Sequence, residues 1–359
     1  MIALSRTHVA AILTGNKCPD FFTGSETAEP AKRMAVPHST HPPLVSIIIP
    51  AYKAGRFLPA TLKSIREQTF TDWECIVVDD GSPDQTAAMA KQFASEDVRF
   101  RVVMQENAGV SAARNRGFAE SNPGAQYVTF MDADDVWLPD ALKILHNTLE
   151  KHPGMIGAHA LADFIDAGGQ PYREGEFVEF GRKRMECGEN RRVKYCDFEQ
   201  PTSFRTLLLN NAVYPPGVLL SKRIYYEKVG PFDSATTPVE DWDMLIRLGR
   251  HGDIHFINKV IVLYRRHDAN MSAQDEAVTR RAIRRLQHKT FFSPENSQEQ
   301  RKIVEKSWKA MQVICVEDKL RSIPKKVASG HYATAGKILA GLYAHFHRYL
   351  RGYPTLRGL

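Results

Sequence analysis

Cysteine is scarce: the 359-residue chain holds five (Cys18, Cys75, Cys187, Cys196, Cys315), scattered, with no Cys-x-x-Cys pair. That spacing excludes a zinc ribbon or a disulfide scaffold, and an odd count suits a reducing compartment. Cys75, inside an apolar run, reads as a small core residue. Nowhere do about 18 apolar residues follow one another, so no membrane-spanning helix is expected. The longest contender, within Ala333–Leu350, is broken by Lys337, His345, His347 and Arg348. The apolar patch from Val9 to Leu13, after Arg6, is too short for a secretory signal. No Gly-x-Gly-x-x-Gly follows the first strand, which sets NAD chemistry aside, and there is neither a P-loop nor a His-Glu-x-x-His pattern. A cytoplasmic protein is expected.

What is present is ordinary for a globular chain: 43% hydrophobic, 25% charged and 9% aromatic residues. At roughly 150 residues per domain, the length allows two domains or one large domain with appendages. The net charge of +7 is uneven. Residues 276–359 hold 17 Lys/Arg against 6 Asp/Glu, a net of +11, which leaves −4 for residues 1–275. A basic tail attracts phosphate, on a nucleic acid or on an anionic membrane surface.

Residues 1–43 lack periodicity and read as a poorly ordered leader. Order begins at Leu44, where Leu44–Ile49 is a β-branched run closed by Pro50, the mark of a buried parallel strand. Phe57, Leu58, Thr61, Leu62 and Ile65 then recur at helical spacing. Trp73–Val78 makes a second strand, 84–95 a helix, Arg99–Met104 a third strand, Ser111–Ser121 a helix and Tyr127–Met131 a fourth strand. Strands alternating with helices imply an α/β fold with a mostly parallel, doubly wound sheet.

In such sheets ligands bind outside the carboxyl ends of the strands. Three strand ends here carry unusual residues: Pro50-Ala51-Tyr52, Asp79-Asp80-Gly81-Ser82 and Asp132-Ala133-Asp134-Asp135. Clustered carboxylates repel and raise one another's pKa unless a cation compensates. In extended backbone Asp132 and Asp134 face the same way, and paired hard carboxylates suit Mg²⁺ or Mn²⁺ with phosphate oxygens completing the shell.

These segments, with Asn107-Ala108-Gly109-Val110-Ser111-Ala112-Ala113-Arg114-Asn115 between the second and third, resemble the family 2 glycosyltransferases in order and spacing, from about Val45 to Ser272. The resemblance implies a GT-A fold, mostly parallel sheet flanked by helices, and inverting transfer from a nucleotide-sugar. Carried over by position, Pro50, Ala51 and Tyr52 would line the nucleotide pocket. Asp79 and Asp80 would take the base, expected to be uracil. Arg114 would lie near the base or diphosphate, Asp132 would face the ribose, and Asp134 would bind the metal on the diphosphate. Lys53 stands where the family often has Asn.

Val239-Glu240-Asp241-Trp242-Asp243 resembles the family's Glu-Asp motif, which makes Asp241 the catalytic base. The chemistry needs one: an acceptor hydroxyl must lose its proton as it attacks the anomeric carbon. Direct displacement needs one protein carboxylate, unlike the pair used by glycoside hydrolases. Tyr264-Arg265-Arg266-His267-Asp268-Ala269-Asn270-Met271-Ser272 resembles the family's closing segment, with His267 at the metal or diphosphate and Arg265 or Arg266 at a phosphate. Ala212–Leu220 reads as a strand beside the acceptor. Gly168–Pro201, charged and aperiodic, reads as an insert shaping acceptor access.

The implied organisation is a leader (1–43), a GT-A domain (44–272, with a nucleotide-binding half 44–135 and an acceptor half 136–272) and a basic helical extension (273–359). Its partners would be a nucleotide-sugar, expected to be a UDP-sugar, and a carbohydrate or lipid-linked acceptor. A hexosyl or N-acetylhexosaminyl transfer serving surface polysaccharide or glycolipid synthesis fits. In the extension Arg280, Arg281, Arg284 and Arg285 form one basic stripe. Ile338, Leu339, Leu342, Tyr343, Phe346, Tyr349 and Leu350 recur at helical spacing, a pattern of peripheral membrane binding or of a helix packed on the body.

Simpler readings stand beside these. Asp79–Ser82 and Asp132–Asp135 also suit turns and helix caps, and Glu240-Asp241 suits a helix start favoured by the dipole. Tyr52 and Trp242 suit a core. A nucleotidyltransferase also sets paired acids on an α/β sheet, but would bring a Gly-rich loop where Pro50-Ala51-Tyr52-Lys53 stands. A non-catalytic nucleotide- or nucleic-acid-binding module would use the basic tail, yet no nucleic-acid-binding motif is present.

Overall fold

The computed structural model describes residues 41–173, 175–187, 193–270 and 276–330, with positions 332, 334, 336 and 338–340. The leader up to residue 40, Arg191 and Arg192, Met271 and Ser272, and the tail positions from Leu342 onward lie outside the described residues.

The β-branched run forms β1 (Val45–Ala51), buried along nearly its whole length, and Trp73–Asp80 forms β2, buried throughout. Strands covered on both faces read as unbroken apolar runs because helices pack above and below them. Those helices are α1 (Leu58–Arg66), α2 (Thr86–Glu96) and α3 (Val110–Glu120). β3 (Phe100–Gln105) and β4 (Tyr127–Phe130) complete the first half. Gly117 lets α3 lie close on the sheet: a Cβ there would come within 2.4 Å of Ile48 Cγ2 and 3.1 Å of Val78 Cγ2.

The second half adds β5 (Val136–Trp137), α4 (Ala141–Lys151) and β6 (Gly157–Ile165). The segment read as an insert contains α5 (Glu176–Arg182) and a hairpin of β7 (Met185–Cys187) and β8 (Val193–Tyr195). Then follow α6 (Phe204–Leu207), β9 (Leu219–Lys222), α7 (Arg223–Val229), α8 (Glu240–Gly249) and β10 (Ile254–Arg265). The strand read over Ala212–Leu220 begins only at Leu219; Pro216–Val218 is a 3₁₀ turn instead. Pro215 and Pro216 lack the N–H groups a strand would donate.

Eight strands form one sheet in the order β3-β2-β1-β4-β9-β6-β10-β5. β1 pairs in parallel with β2 and β4, β2 with β3, and β6 with β10; β9 runs antiparallel to β4 and β6. Six strands therefore point the same way. Their carboxyl ends make one rim, and the chain entering the reversed β9 arrives at that rim as well. The seam of a chain reversal in an α/β sheet is where ligands bind.

Beyond residue 272 the chain continues in α9 (Glu276–Phe291) and α10 (Gln298–Ala328). α9 packs on the body: Ala282 and Leu286 join the main core, and Lys289 Nζ bonds Asp233 (2.7 Å) and Asp243 (2.9 Å). Its other face exposes Arg280, Arg281, Arg284 and Arg285. Among the described residues no helix is long and apolar enough to cross a membrane.

Candidate active site

The rim encloses a cavity of about 1020 Å³, lined from both halves of the chain. On the nucleotide side stand Pro50, Ala51, Tyr52, Asp80, Arg114, Asp132 and Asp134; on the other, Asp241, Tyr264, Arg266 and His267. Tyr52 is no core residue, being 47% exposed at the cavity edge. Trp242 is buried, its indole N–H donating to the Leu207 carbonyl at 2.6 Å, yet its edge reaches the lining.

Asp79 and Asp80 are separated by strand alternation, which turns neighbours to opposite faces. Asp80 reaches the cavity and builds its wall. Its carboxylate accepts the backbone N–H groups of Ala108 and Gly109 (both 2.8 Å) and the Gln105 amide (2.7 Å). Asp79 is 1% exposed, lies outside the cavity lining, and among the described residues neither carboxylate oxygen has a hydrogen-bond partner. The structure thus brings one of the two carboxylates to the cavity.

Arg114 lines the cavity wall but is almost wholly buried, 3% exposed. Its guanidinium donates to Asp132 Oδ1 (2.9 Å) and Glu240 Oε1 (2.8 Å) and sits 5.4 Å over the Phe232 ring. Burial opposes its charge, but Asp132 and Glu240 raise its pKa above the ordinary value. Asp132 moves upward: burial outweighs the Arg114 contact, and Asp134 adds like-charge repulsion. Asp135, fully buried, is pushed far up by burial and by Asp134 and Asp132. It closes the turn through the Arg265 N–H (3.0 Å) and belongs to the frame.

Asp134 Oδ2 lies 2.8 Å from His267 Nε2 and 3.3 Å from Asn270 Nδ2, and the imidazole stacks on Phe57 at 4.5 Å. A carboxylate oxygen and an imidazole nitrogen, side by side at a cavity wall, are a donor pair suited to Mn²⁺ or Mg²⁺. Among the described residues no group of three or more His, Cys, Asp or Glu side chains is arranged to hold a metal ion. Arg265 and Arg266 divide the roles expected of either. Arg265 is buried and braces the turn by donating to the Asp134 carbonyl (2.8 Å) and the Asp166 carbonyl (3.3 Å). Arg266 is exposed, lines the cavity and lies 5.4 Å from the Phe164 ring.

Asp241 opens α8, its Oδ1 accepting the Trp242 N–H (2.7 Å) and its Oδ2 the Asn211 amide (3.1 Å). Burial, then the neighbouring Glu240, raise its pKa to about 7, where a carboxylate can serve as a proton acceptor near neutrality. Beside it stands an aromatic wall. Phe164 stacks on Phe177 at 4.4 Å, Phe177 on Tyr264 at 5.4 Å, and the Tyr214 hydroxyl donates to that of Tyr264 at 2.8 Å. Asn211, Phe164 and Phe177 escaped the sequence reading. They sit in stretches without a motif, and only the adjacent amides Asn210-Asn211 before Pro215-Pro216 offered a local signal.

Residues 46–208 match the family model described as glycosyl transferase family 2. Chondroitin synthase of Escherichia coli is 26% identical over 271 residues, covering 74% of this chain and 34% of that protein. The chain spans between about a fifth and two fifths of the first curated relatives it matches. Among solved structures, S. aureus TarS 1-349 in complex with UDP-GlcNAc superposes with a TM-score of 0.55 at 15% identity, over 74% of this chain and 72% of that one. The mannosyltransferase PcManGT of Pyrobaculum calidifontis, in complex with GDP-Man and Mn²⁺, gives 0.53 at 17% identity, over 89% and 83%. At such identities the likeness shows the fold alone, the GT-A arrangement expected from the motifs. With its motifs gathered at one rim of that fold, the chain is similar to glycosyl transferase family 2 through residues 46–208.

Proposed function

We propose that the protein is an inverting, metal-dependent glycosyltransferase that moves a sugar from a nucleotide-sugar to an acceptor hydroxyl, in the synthesis of a surface polysaccharide or glycolipid. One observation carries this reading: Asp241, with a pKa raised to about 7, shares a single cavity with Asp80, Asp132 and Asp134. A UDP-sugar is the favoured donor. TarS, with UDP-GlcNAc, and chondroitin synthase, a polysaccharide-making relative by name, support donor and pathway class.

The nucleotide lies against Pro50, Ala51 and Tyr52, with the base toward Asp80 and the ribose toward Asp132. Asp134 and His267 would hold a Mn²⁺ or Mg²⁺ ion, which when bound neutralises charge on the leaving diphosphate. Arg266 faces the same charge from the rim. Asp241 takes the proton of the acceptor hydroxyl as its oxygen bonds to the anomeric carbon. The bond from that carbon to the diphosphate breaks on the opposite side, releasing the nucleoside diphosphate and inverting the centre. The aromatic wall of Phe164, Phe177 and Tyr264 gives the acceptor sugar an apolar face. The exposed arginine stripe of α9 would hold the protein at an anionic membrane surface, within reach of a lipid-linked acceptor.

The reading is tested by incubating the full chain with UDP-, GDP- and dTDP-sugars, Mn²⁺ and a panel of 4-nitrophenyl glycosides. Transfer with inversion at the anomeric centre, lost in Asp241→Asn, is expected; retention of configuration would overturn the direct-displacement mechanism.

A further inference from the structure

Asn211 is the one side chain that bonds the carboxylate of Asp241, its Nδ2 donating to Oδ2 at 3.1 Å among the described residues. The other carboxylate oxygen is held by the Trp242 N–H at 2.7 Å. The carboxylate is therefore gripped at both oxygens, which fixes its plane. The amide must turn its N–H toward Asp241, because two facing oxygens would repel. Asn211 and Asp241 both line the cavity.

Resting on the transferase reading, we infer that Asn211 is a positioning residue that holds the Asp241 carboxylate in place through its N–H. A base misplaced by the loss of its support acts on a badly aligned nucleophile, a defect that falls on kcat. The charged groups facing Asp241 are Glu240 on its own helix and Arg114 from α3; the Tyr214 hydroxyl faces it from the loop that carries Asn211.

The test compares the full chain with Asn211→Ala and the isosteric Asn211→Asp. UDP binding with Mn²⁺ is measured first, then transfer to 4-nitrophenyl glycosides and hydrolysis of the donor by water. Both variants are expected to bind UDP as the unaltered protein does and to lose kcat by roughly 100-fold. Removing a donor that favours the charged carboxylate is also expected to move the acidic limb of kcat/KM to higher pH in Asn211→Ala. Asn211 variants with kcat within twofold and an unmoved limb would overturn the inference alone. Absence of UDP binding by the unaltered protein would take the transferase reading down with it.

Discussion

Glu240 accepts a 2.8 Å hydrogen bond from Arg114 in the interior of the protein, and this contact ties the acceptor half of the cavity to the nucleotide half. The same guanidinium holds Asp132 at 2.9 Å, so one cation joins the Asp-x-Asp turn after β4 to the first residue of α8. Asp241, the next residue of that helix, is thereby set at a fixed place relative to the turn that carries Asp132 and Asp134. The coupling is mechanical as well as electrostatic, since both side chains of the Arg114–Glu240 pair are almost wholly removed from solvent.

Arg114→Ala is expected to destabilise the fold by about 3–5 kcal/mol, because it strands a buried carboxylate at Glu240 rather than merely deleting an attraction. Glu240→Gln in the same background should recover part of the loss by removing the stranded charge. Urea midpoints of the two variants check this; equal midpoints for Arg114→Ala and the unaltered protein would refute it.

Asp241 predicts opposite trends for activity and stability. Its folded pKa of about 7 lies above the ordinary carboxylate value near 4, so between those limits the folded protein holds a proton that the unfolded chain has lost. Folding is therefore progressively penalised as pH rises from about 4 to about 7, and the full penalty stands above that. Discounted for screening in an open cavity, it is on the order of 2 kcal/mol. Asp241→Asn should be more stable than the unaltered protein at pH 8 and indistinguishable at pH 4, while transfer falls by at least about 100-fold. The unaltered enzyme's kcat/KM should rise with pH through about 7. Thermal melts at the two pH values and one pH–rate profile measure both.

The first half of the fold was legible because its strands are short apolar runs and its motifs stand where the runs end. β1, β2 and their helices follow from Leu44–Ile49, Trp73–Val78 and the spacing of Leu58, Leu62 and Ile65. The division between Asp79 and Asp80 was implicit in strand alternation, but which face meets the cavity depends on helices packed from elsewhere in the chain. Arg114 illustrates the harder case. The family resemblance placed it near the base or diphosphate, with a structural carboxylate as the plainer reading; its partners are the carboxylates of Asp132 and Glu240, brought together only by tertiary packing. The insert was opaque for another reason: α5 and the β7–β8 hairpin are short and mixed in polarity, so neither period has room to show.

The stripe of Arg280, Arg281, Arg284 and Arg285 predicts attraction to anionic lipid of about 1 kcal/mol per arginine near the surface. Vesicles of phosphatidylglycerol should bind the full chain, vesicles of phosphatidylcholine should not, and salt should weaken the binding. Replacing all four by Gln should abolish most of it without changing UDP binding. Equal binding by the quadruple variant would assign the attraction to another part of the chain.

The central claim is that the cavity is a metal-dependent nucleotide-sugar site, and calorimetric titration of UDP, GDP and dTDP with and without Mn²⁺ tests it most directly. Asp134→Asn and His267→Ala are run alongside, with circular dichroism to establish that each is folded. The expected result is binding of one nucleotide, UDP foremost, that requires Mn²⁺ and weakens by at least about 10-fold in both variants. Folded protein that binds no nucleotide with or without the metal would contradict the account.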